Sequence, residues 1–248
     1  MRAFKMILAV AALAVTAGCS VPGPGDAPDG VFDPYEARNR KVHAFNATVD
    51  KALLRPAGKG YVSAVPEPVQ AGVSNMAATL SIPGSAVNHL LQGRPGDATY
   101  NLVRFALNAT LGLGGILDPA TDFGLPEDST GFGDTLASWG AKEGGYVVLP
   151  VLGPSNERDA VGTVVDLAFN PLGSVLEKPA SHIGTVAKVA DQIGDRGRYA
   201  DVIDPILYES ADSYAQLRLI YLQNRRHELG EEAPGEEIDP LALDTEGF

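Results

Sequence analysis

Few residues in this 248-residue chain have types and spacings that suggest chemistry, and most of those argue against catalysis. The four histidines, His43, His89, His182 and His227, are widely separated. None falls in the H-E-x-x-H spacing that puts two imidazoles on one helix face for a metal. No G-x-S-x-G elbow presents a serine nucleophile, and the acids, though plentiful, mark no catalytic pair. Gly112-Leu113-Gly114-Gly115 fails the phosphate-loop pattern because Leu117 stands at its last glycine and no strand precedes it. It reads as a helix terminus and turn. Cys19 is the single cysteine, which excludes a disulfide framework and any multi-thiolate metal site. No metal and no dissociable cofactor are expected.

The clearest polar constellation lies on one predicted helix, from Pro95 to about Leu111. Asp97, Asn101, Arg104 and Asn108 fall within an arc of roughly 60° at ~100° per residue. Ala98, Leu102, Val103, Phe105, Ala106, Leu107 and Leu111 surround them. This inverts an ordinary surface helix: a narrow polar stripe runs along a broadly apolar cylinder. Two readings fit. One is a buried network, with Arg104 paired to Asp97 at i, i+7 or to a distant acid. The other is a polar pathway flanked by lipid or protein.

The elements that position this stripe are helical in period. Asp33-Pro34-Tyr35-Glu36 supplies a cap, a first-turn proline and a carboxylate. Val42, Phe45, Val49 and Leu53 then recur at helical spacing until Arg55-Pro56, where a stop is predicted. Pro68 opens a helix carrying Val69, Val73, Met76 and Leu80, and Pro83 opens a short one closed by Gly93. Later helices are predicted over 134–141, 156–169, 181–193 and about 210–227, the last with Tyr214, Leu217 and Tyr221 on one face. Period-2 patterning is absent; Tyr146–Leu152 comes nearest, and Pro150 interrupts it. The predicted fold class is all-α, with no significant sheet and no internal repeat.

Charge is unevenly distributed. Nineteen Lys and Arg against 31 Asp and Glu give a net charge of −12, which disfavours nucleic acid and polybasic docking to anionic lipid. Residues 68–117 carry only Arg94, Asp97 and Arg104, where the chain's average of 20% charged residues leads one to expect about ten. That stretch holds no run of 18 apolar residues, so it is not a spanning helix, yet it is poorly equipped to be a wet surface. Both membrane-contacting helices and plain core fit it. From Glu228 to Phe248 there are eight acids and no base, which reads as a solvated, disordered tail.

The first 18 residues read as an address. Arg2 and Lys5 precede the short apolar run Met6–Ala17, too short to span a bilayer and typical of a secretory signal peptide. Thr16-Ala17-Gly18-Cys19-Ser20 resembles a bacterial lipobox, which makes Cys19 the acylated first residue of the mature chain. Loss of the leader takes the net charge from −12 to −14. Residues 19–32 form a Pro/Gly-rich tether, and residues 33–227 the folded domain. Ser20, by the same resemblance, directs the protein to the periplasmic face of the outer membrane.

Further motifs in order carry a family resemblance. Asp33-Pro-Tyr-Glu36, Asn39-Arg40, Phe45-Asn46 and Leu54-Arg55-Pro56 resemble the start of the MlaA (VacJ) family of phospholipid-transport lipoproteins. The match continues through Gly72-Val-Ser-Asn75, Leu91-Gln-Gly93, Arg104-Phe105, Asn108–Gly115 and Asp118-Pro-Ala120. It resumes at Phe132–Leu136, Trp139-Gly140, Leu152–Ser155, Arg158-Asp159 and Tyr214–Arg226. The resemblance implies a flat, mostly helical ring in the inner leaflet of the outer membrane, with a central amphipathic channel. It implies removal of phospholipid from the outer leaflet, its delivery to a soluble periplasmic lipid carrier, association with a trimeric outer-membrane porin, and no catalysed reaction. On that reading Asp97, Asn101, Arg104 and Asn108 are candidates for channel lining or for a structural stripe. Phe45 and Asn46 are candidates for packing of the ring, and Trp139 is an interfacial anchor or a core aromatic. Two rivals stand beside it: a scaffolding lipoprotein without a lipid channel, and a periplasmic lipid hydrolase.

Overall fold

Prolines mark where several helices begin, but two of them fail to end one. The structure, a computed structural model, describes residues 31–169, 171 and 182–230. The predicted leader, Cys19, nearly all of the tether, Ser181 and the tail beyond residue 230 lie outside the described residues.

Helix α1 (Glu36–Val49) passes through a π-helical turn (Asp50–Leu54) directly into α2 (Arg55–Ala64). The stop expected at Arg55-Pro56 is absent. A proline lacks the N–H for the carbonyl four residues back, and its ring crowds that carbonyl. Here the Arg55 N–H bonds the Asp50 carbonyl, five residues back. The widened turn leaves Pro56 in the first turn of α2, where a helix tolerates it. The same turn buries Asp50, which accepts from Arg196 Nε (2.7 Å) and Nη2 (2.8 Å) and from Tyr208 Oη (2.5 Å).

Helix α3 (Glu67–Leu91) runs unbroken through Pro83, where the sequence predicts a new helix. An interior proline costs about 3 kcal/mol in an isolated helix. Here packing opposes that cost, because α3 lies against both α4 (Pro95–Thr110) and α8 (Ile183–Arg198). It buries Gln70, Ala77, Ile82, Ala86 and His89 along its length. After α4 come a one-turn helix α5 (Pro119–Asp122), α6 (Phe132–Ser138), a β-hairpin, α7 (Glu157–Ala168) and α8. A short α9 (Ala200–Asp204), a second π turn (Pro205–Glu209) and α10 (Ser213–Glu228) complete the described chain. Asn156 and Asp212 cap α7 and α10 by accepting from the third residue onward. Asp33 does not cap α1 as the sequence suggests. It ties the chain entry to α10 instead, accepting from Asn39, Tyr214 and Arg218.

The class is all-α as predicted, with one small sheet among the described residues. Strand β1 (Tyr146–Leu149) pairs antiparallel with β2 (Gly153–Asn156), Tyr146 opposite Asn156 and Leu149 opposite Gly153. Pro150 lies in the turn, followed by Val151 at φ 67 and Gly153 at φ 88, so the interruption seen in sequence is the reversal itself. The free edge of β1 is covered by α1. Asn39 Nδ2 donates to Tyr146 O (2.9 Å) and its Oδ1 accepts from Val148 N (3.0 Å). Asn46, two turns on, repeats the pattern with Leu149 O (2.9 Å) and Val151 N (2.8 Å). Two amides on one helix face thus satisfy backbone groups that an edge strand leaves open. Tyr146, Val148, Tyr214 and Leu222 form an apolar cluster beneath this corner.

Helices elsewhere meet backbone to backbone. A Cβ on Gly58 of α2 would lie 2.7 Å from Gly197 N and Ile193 O of α8. One on Gly162 of α7 would lie 2.3 Å from Gly133 N of α6. Gly58→Ala should therefore destabilise the protein by about 1–3 kcal/mol through overpacking. Gly60→Ala, on the same helix with nothing within 4 Å of its Cβ, should instead stabilise by about 0.5–1 kcal/mol. Chemical denaturation of the two variants checks this, and effects of equal sign would refute the close-approach argument.

Candidate functional site

Pro95 occupies the first position of α4 and Asp97 its first turn, favourable places for a fixed φ and for a negative charge. The face that α4 buries is Ala98, Asn101, Arg104 and Asn108, and the face it exposes carries Leu102, Val103 and Leu111. Asn101, Arg104 and Asn108 of the polar stripe therefore point inward, Asp97 stays outside, and the apolar flank faces outward. Asn101 Nδ2 donates to the carbonyls of Asp128 (3.0 Å) and Asp97 (3.3 Å). Asn108 is the best-bonded member. It donates to Asp118 Oδ1 (2.7 Å) and Thr79 Oγ1 (3.4 Å), and accepts from Ala120 N (3.0 Å). Arg104, 2% exposed, meets Asp118 Oδ2 at 3.5 Å and Thr121 Oγ1 at 3.4 Å. Its partner is thus a distant acid rather than Asp97, which is exposed on the first turn.

Asp118 joins this network to the surface. It caps α5, accepting from Thr121 N (3.2 Å) and Thr121 Oγ1 (2.5 Å). Partial burial acts to raise its carboxyl, but the bonds from Thr121 and Asn108, with Arg104 behind, hold it below the usual carboxylate range. A recess of about 450 Å³ opens here, lined by Asn75, Leu111, Leu117, Asp118, Pro119, Thr121 and Asp122. It presents two carboxylates, an amide and a hydroxyl between apolar walls. The Gly112–Gly115 segment ends α4 as the sequence predicts: Gly114 and Gly115 take positive φ, and Gly115 N donates to Asn108 O (2.9 Å).

The remaining singled-out residues fall elsewhere. Asn46 clasps the hairpin, and its neighbour Phe45 is exposed. Trp139 is also exposed, with its Nε1 donating to Leu91 O (3.0 Å) and its ring edge-on to Phe132. Of the histidines, His43 Nε2 lies 2.8 Å from Ser213 Oγ, and burial lowers its pKa. His182 and His227 are exposed. His89, buried on the last turn of α3, sits with Asp97 and Asp128, their donor atoms all within 4.8 Å of one another. Sequence spacing missed this group because residues 89, 97 and 128 come from two helices and a loop. It also missed Asp118 as the stripe's anchor, although Asp118-Pro119 at a predicted turn is a helix-start signal.

A second ionic centre holds α6, α7 and α10 together. Arg225 donates through Nε to Asp159 Oδ2 (2.7 Å) and through Nη2 to Asp134 Oδ1 (2.5 Å) and Asp159 Oδ1 (3.0 Å). Tyr221 Oη, Asn156 Nδ2 and Arg158 Nε also donate to Asp159. Burial alone would raise both carboxyls; Arg225 and the other donors keep both lowered.

Burial across the molecule is inverted. Among the described residues, 15 polar or charged side chains are buried against 12 apolar ones, while 26 large apolar or aromatic side chains are exposed. Where they neighbour one another, as Leu90 and Leu91 do on α3 and Leu102 and Val103 on α4, exposed apolar side chains mark candidate lipid- or protein-contacting surface. No helix of the described residues is long and apolar enough to cross a membrane.

The sequence model described as MlaA lipoprotein matches residues 31–228. The chain is 34% identical over 250 residues to the intermembrane phospholipid transport system lipoprotein MlaA of Escherichia coli K12, covering 96% of each. It is 37% identical over 189 residues to an uncharacterized protein of Rickettsia felis, covering 76% of this chain and 74% of that one. A solved structure from work on the structural basis for maintenance of bacterial outer membrane lipid asymmetry superposes with a TM-score of 0.67 at 33% identity. It covers 79% of this chain and 98% of its own.

Two measurements test the site. Asn108→Ala leaves Ala120 N–H and Asp118 each short of a partner, and should lower stability by about 1–3 kcal/mol in denaturant. A loss within about 0.5 kcal/mol, as at ordinary surface positions, would show that the stripe does not hold α4 to α5. Because Asp134 and Asp159 have lowered folded-state pKa values, they stabilise the fold above the ordinary carboxylate pKa of about 3.9. That stability is lost as pH falls through the lowered values. In Arg225→Met the buried carboxylates lose their counter-charge, so the acid-induced fall in melting temperature should flatten.

Proposed function

This chain belongs to the MlaA lipoprotein family, and from that premise we propose that it is an outer-membrane lipoprotein that moves phospholipid to maintain lipid asymmetry. Acyl chains on Cys19 hold it to the periplasmic side. It removes phospholipid mislocalised in the outer leaflet and passes it to a soluble periplasmic carrier, beside a trimeric porin. The inverted burial carries the reading: an apolar exterior around a polar interior suits a body whose solvent is lipid. The helices suit one leaflet. Helix α4 has 16 residues, about 24 Å at 1.5 Å each, against ~30 Å for a hydrocarbon core. Two or more acyl chains anchor stably, which matters for a chain whose acidity gives anionic lipid no purchase.

The recess beside Asp118 supplies an amphipathic contact for a headgroup. Its carboxylates and hydroxyl can take an ammonium or a hydroxyl, while Leu111 and Leu117 meet the first methylenes of an acyl chain. Arg104 and Asn108 lie behind this wall and support it through Asp118, Thr121 and Ala120, while Asn101 holds the Asp128 loop farther along α4. No covalent step is required of any of them.

The hydrolase reading rests on one observation, the His43–Ser213 contact. Against it, the adjacent Asp212 is engaged by Arg40 (3.0 and 2.9 Å) and by capping Ala215 N (3.1 Å), so its carboxylate is committed to those partners rather than to the imidazole.

Cells lacking the protein should expose phosphatidylethanolamine to an amine-reactive probe that does not cross the outer membrane. Wild-type protein should reverse this and Cys19→Ala should not. Unchanged surface lipid in the null strain would overturn the transport reading. Phospholipid incubated with the pure protein should be recovered intact, and fatty-acid release abolished by Ser213→Ala would favour the hydrolase.

A further inference from the structure

The corner between α3 and α4 gathers three metal-type donors that the transport reading does not use. His89 lies in the last turn of α3, Asp97 in the first turn of α4, and Asp128 in the loop before α6. His89 is 1% exposed, and neither ring nitrogen makes a hydrogen bond. Its Nε2 is 3.2 Å from Asp128 Oδ2 but too poorly aligned to bond it. A buried imidazole with both nitrogens unmatched is costly, since nearly all buried polar side chains find partners. The Asp97 carboxylate completes the group, all three donor atoms lying within 4.8 Å of one another.

We propose that His89, Asp97 and Asp128 form a binding site for a divalent transition-metal cation, best fitted by Zn²⁺. One imidazole with two carboxylates is a borderline-soft donor set, which favours zinc over Mg²⁺ or Ca²⁺ with their six to eight oxygens. Two ligands bound at 2.0–2.1 Å and a tetrahedral angle lie about 3.3 Å apart, close to the separation of His89 Nε2 and Asp128 Oδ2. The two carboxylates offset the cation's charge, and the exposed Asp97 side leaves room for water as a fourth ligand. The support expected around a metal centre is also here. Asn101, itself buried, holds the Asp128 carbonyl at 3.0 Å, and the His89 carbonyl accepts from Arg94 N at 2.8 Å. A cation at this point ties the loop before α6 to the junction of α3 and α4.

The test titrates ZnCl₂ into tag-free, chelator-stripped protein by calorimetry, with MgCl₂ and CaCl₂ in parallel. One equivalent of Zn²⁺ should bind, and should raise the melting temperature. Asp97→Asn, an exposed change that leaves the core intact, and Asp128→Asn should each weaken binding at least about tenfold; Asn101→Ala should weaken it to a lesser extent. His227→Gln, at the exposed end of α10, should leave affinity unchanged. Absence of saturable Zn²⁺ binding, affinity unaltered in both aspartate variants, or a response to Ca²⁺ in place of Zn²⁺ would each overturn the proposal.

Discussion

Hydrogen bonding in an interior that water does not reach is the constraint on which this structure depends. A buried amide or guanidinium without partners costs several kcal/mol, whereas one that is fully matched fixes its neighbours in place. Asn108 shows the principle: one side chain reaches Asp118, Thr79 and the Ala120 N–H at once, so α3, α4 and α5 can meet in only one way. Asn39 and Asn46 do the same for the hairpin, using amides where a sheet would use another strand. An apolar core is less directional, because dispersion and area burial tolerate sliding that paired donors and acceptors do not.

The ionic clasps extend this logic to the joints between distant segments. Arg196 bonds Asp50 on the π turn and Asp204 at the end of α9 (2.6 Å). The irregular turn that accommodates Pro56 thereby also aims a carboxylate at its partner. Arg218 reaches Asp33 and Arg40 reaches Asp212, so the first and last described helices close on each other. Arg225 does the same between α6, α7 and α10: burial would raise the Asp134 and Asp159 carboxyls, and Arg225 with the neighbouring donors holds both below the usual carboxylate range.

With the polar groups turned inward, the apolar ones are left to face outward. Leu102 and Val103 on α4 and Leu111, Leu113, Ile116 and Leu117 beyond it are exposed, as are Val87, Leu90 and Leu91 of α3. Each large aliphatic side chain taken from water into hydrocarbon contributes about 1.5–3 kcal/mol, so a lipid environment stabilises the same arrangement that water penalises. Glycine crossings at Gly58–Gly197 and Gly133–Gly162 let backbones approach where helices have few apolar side chains to interdigitate, as in membrane bundles.

Local sequence carried the helical class, most helix starts, the polar stripe on α4 and the charge-poor middle, because these depend on spacing and on proline and cap chemistry over a few residues. The family resemblance was legible too, since it resides in ordered short motifs. Tertiary structure alone decided that α3 continues through Pro83, because packing on both α4 and α8 outweighs the lost backbone bond. It also turned Tyr146–Asn156 into a hairpin, since the amides that complete its edge lie about a hundred residues away on α1. The facing of the stripe was likewise decided by contacts no local pattern contains: Arg104 found Asp118 across a turn, and His89 found Asp97 and Asp128 across two. Periodicity tells which residues share a helix face, but what covers that face depends on where the rest of the chain returns.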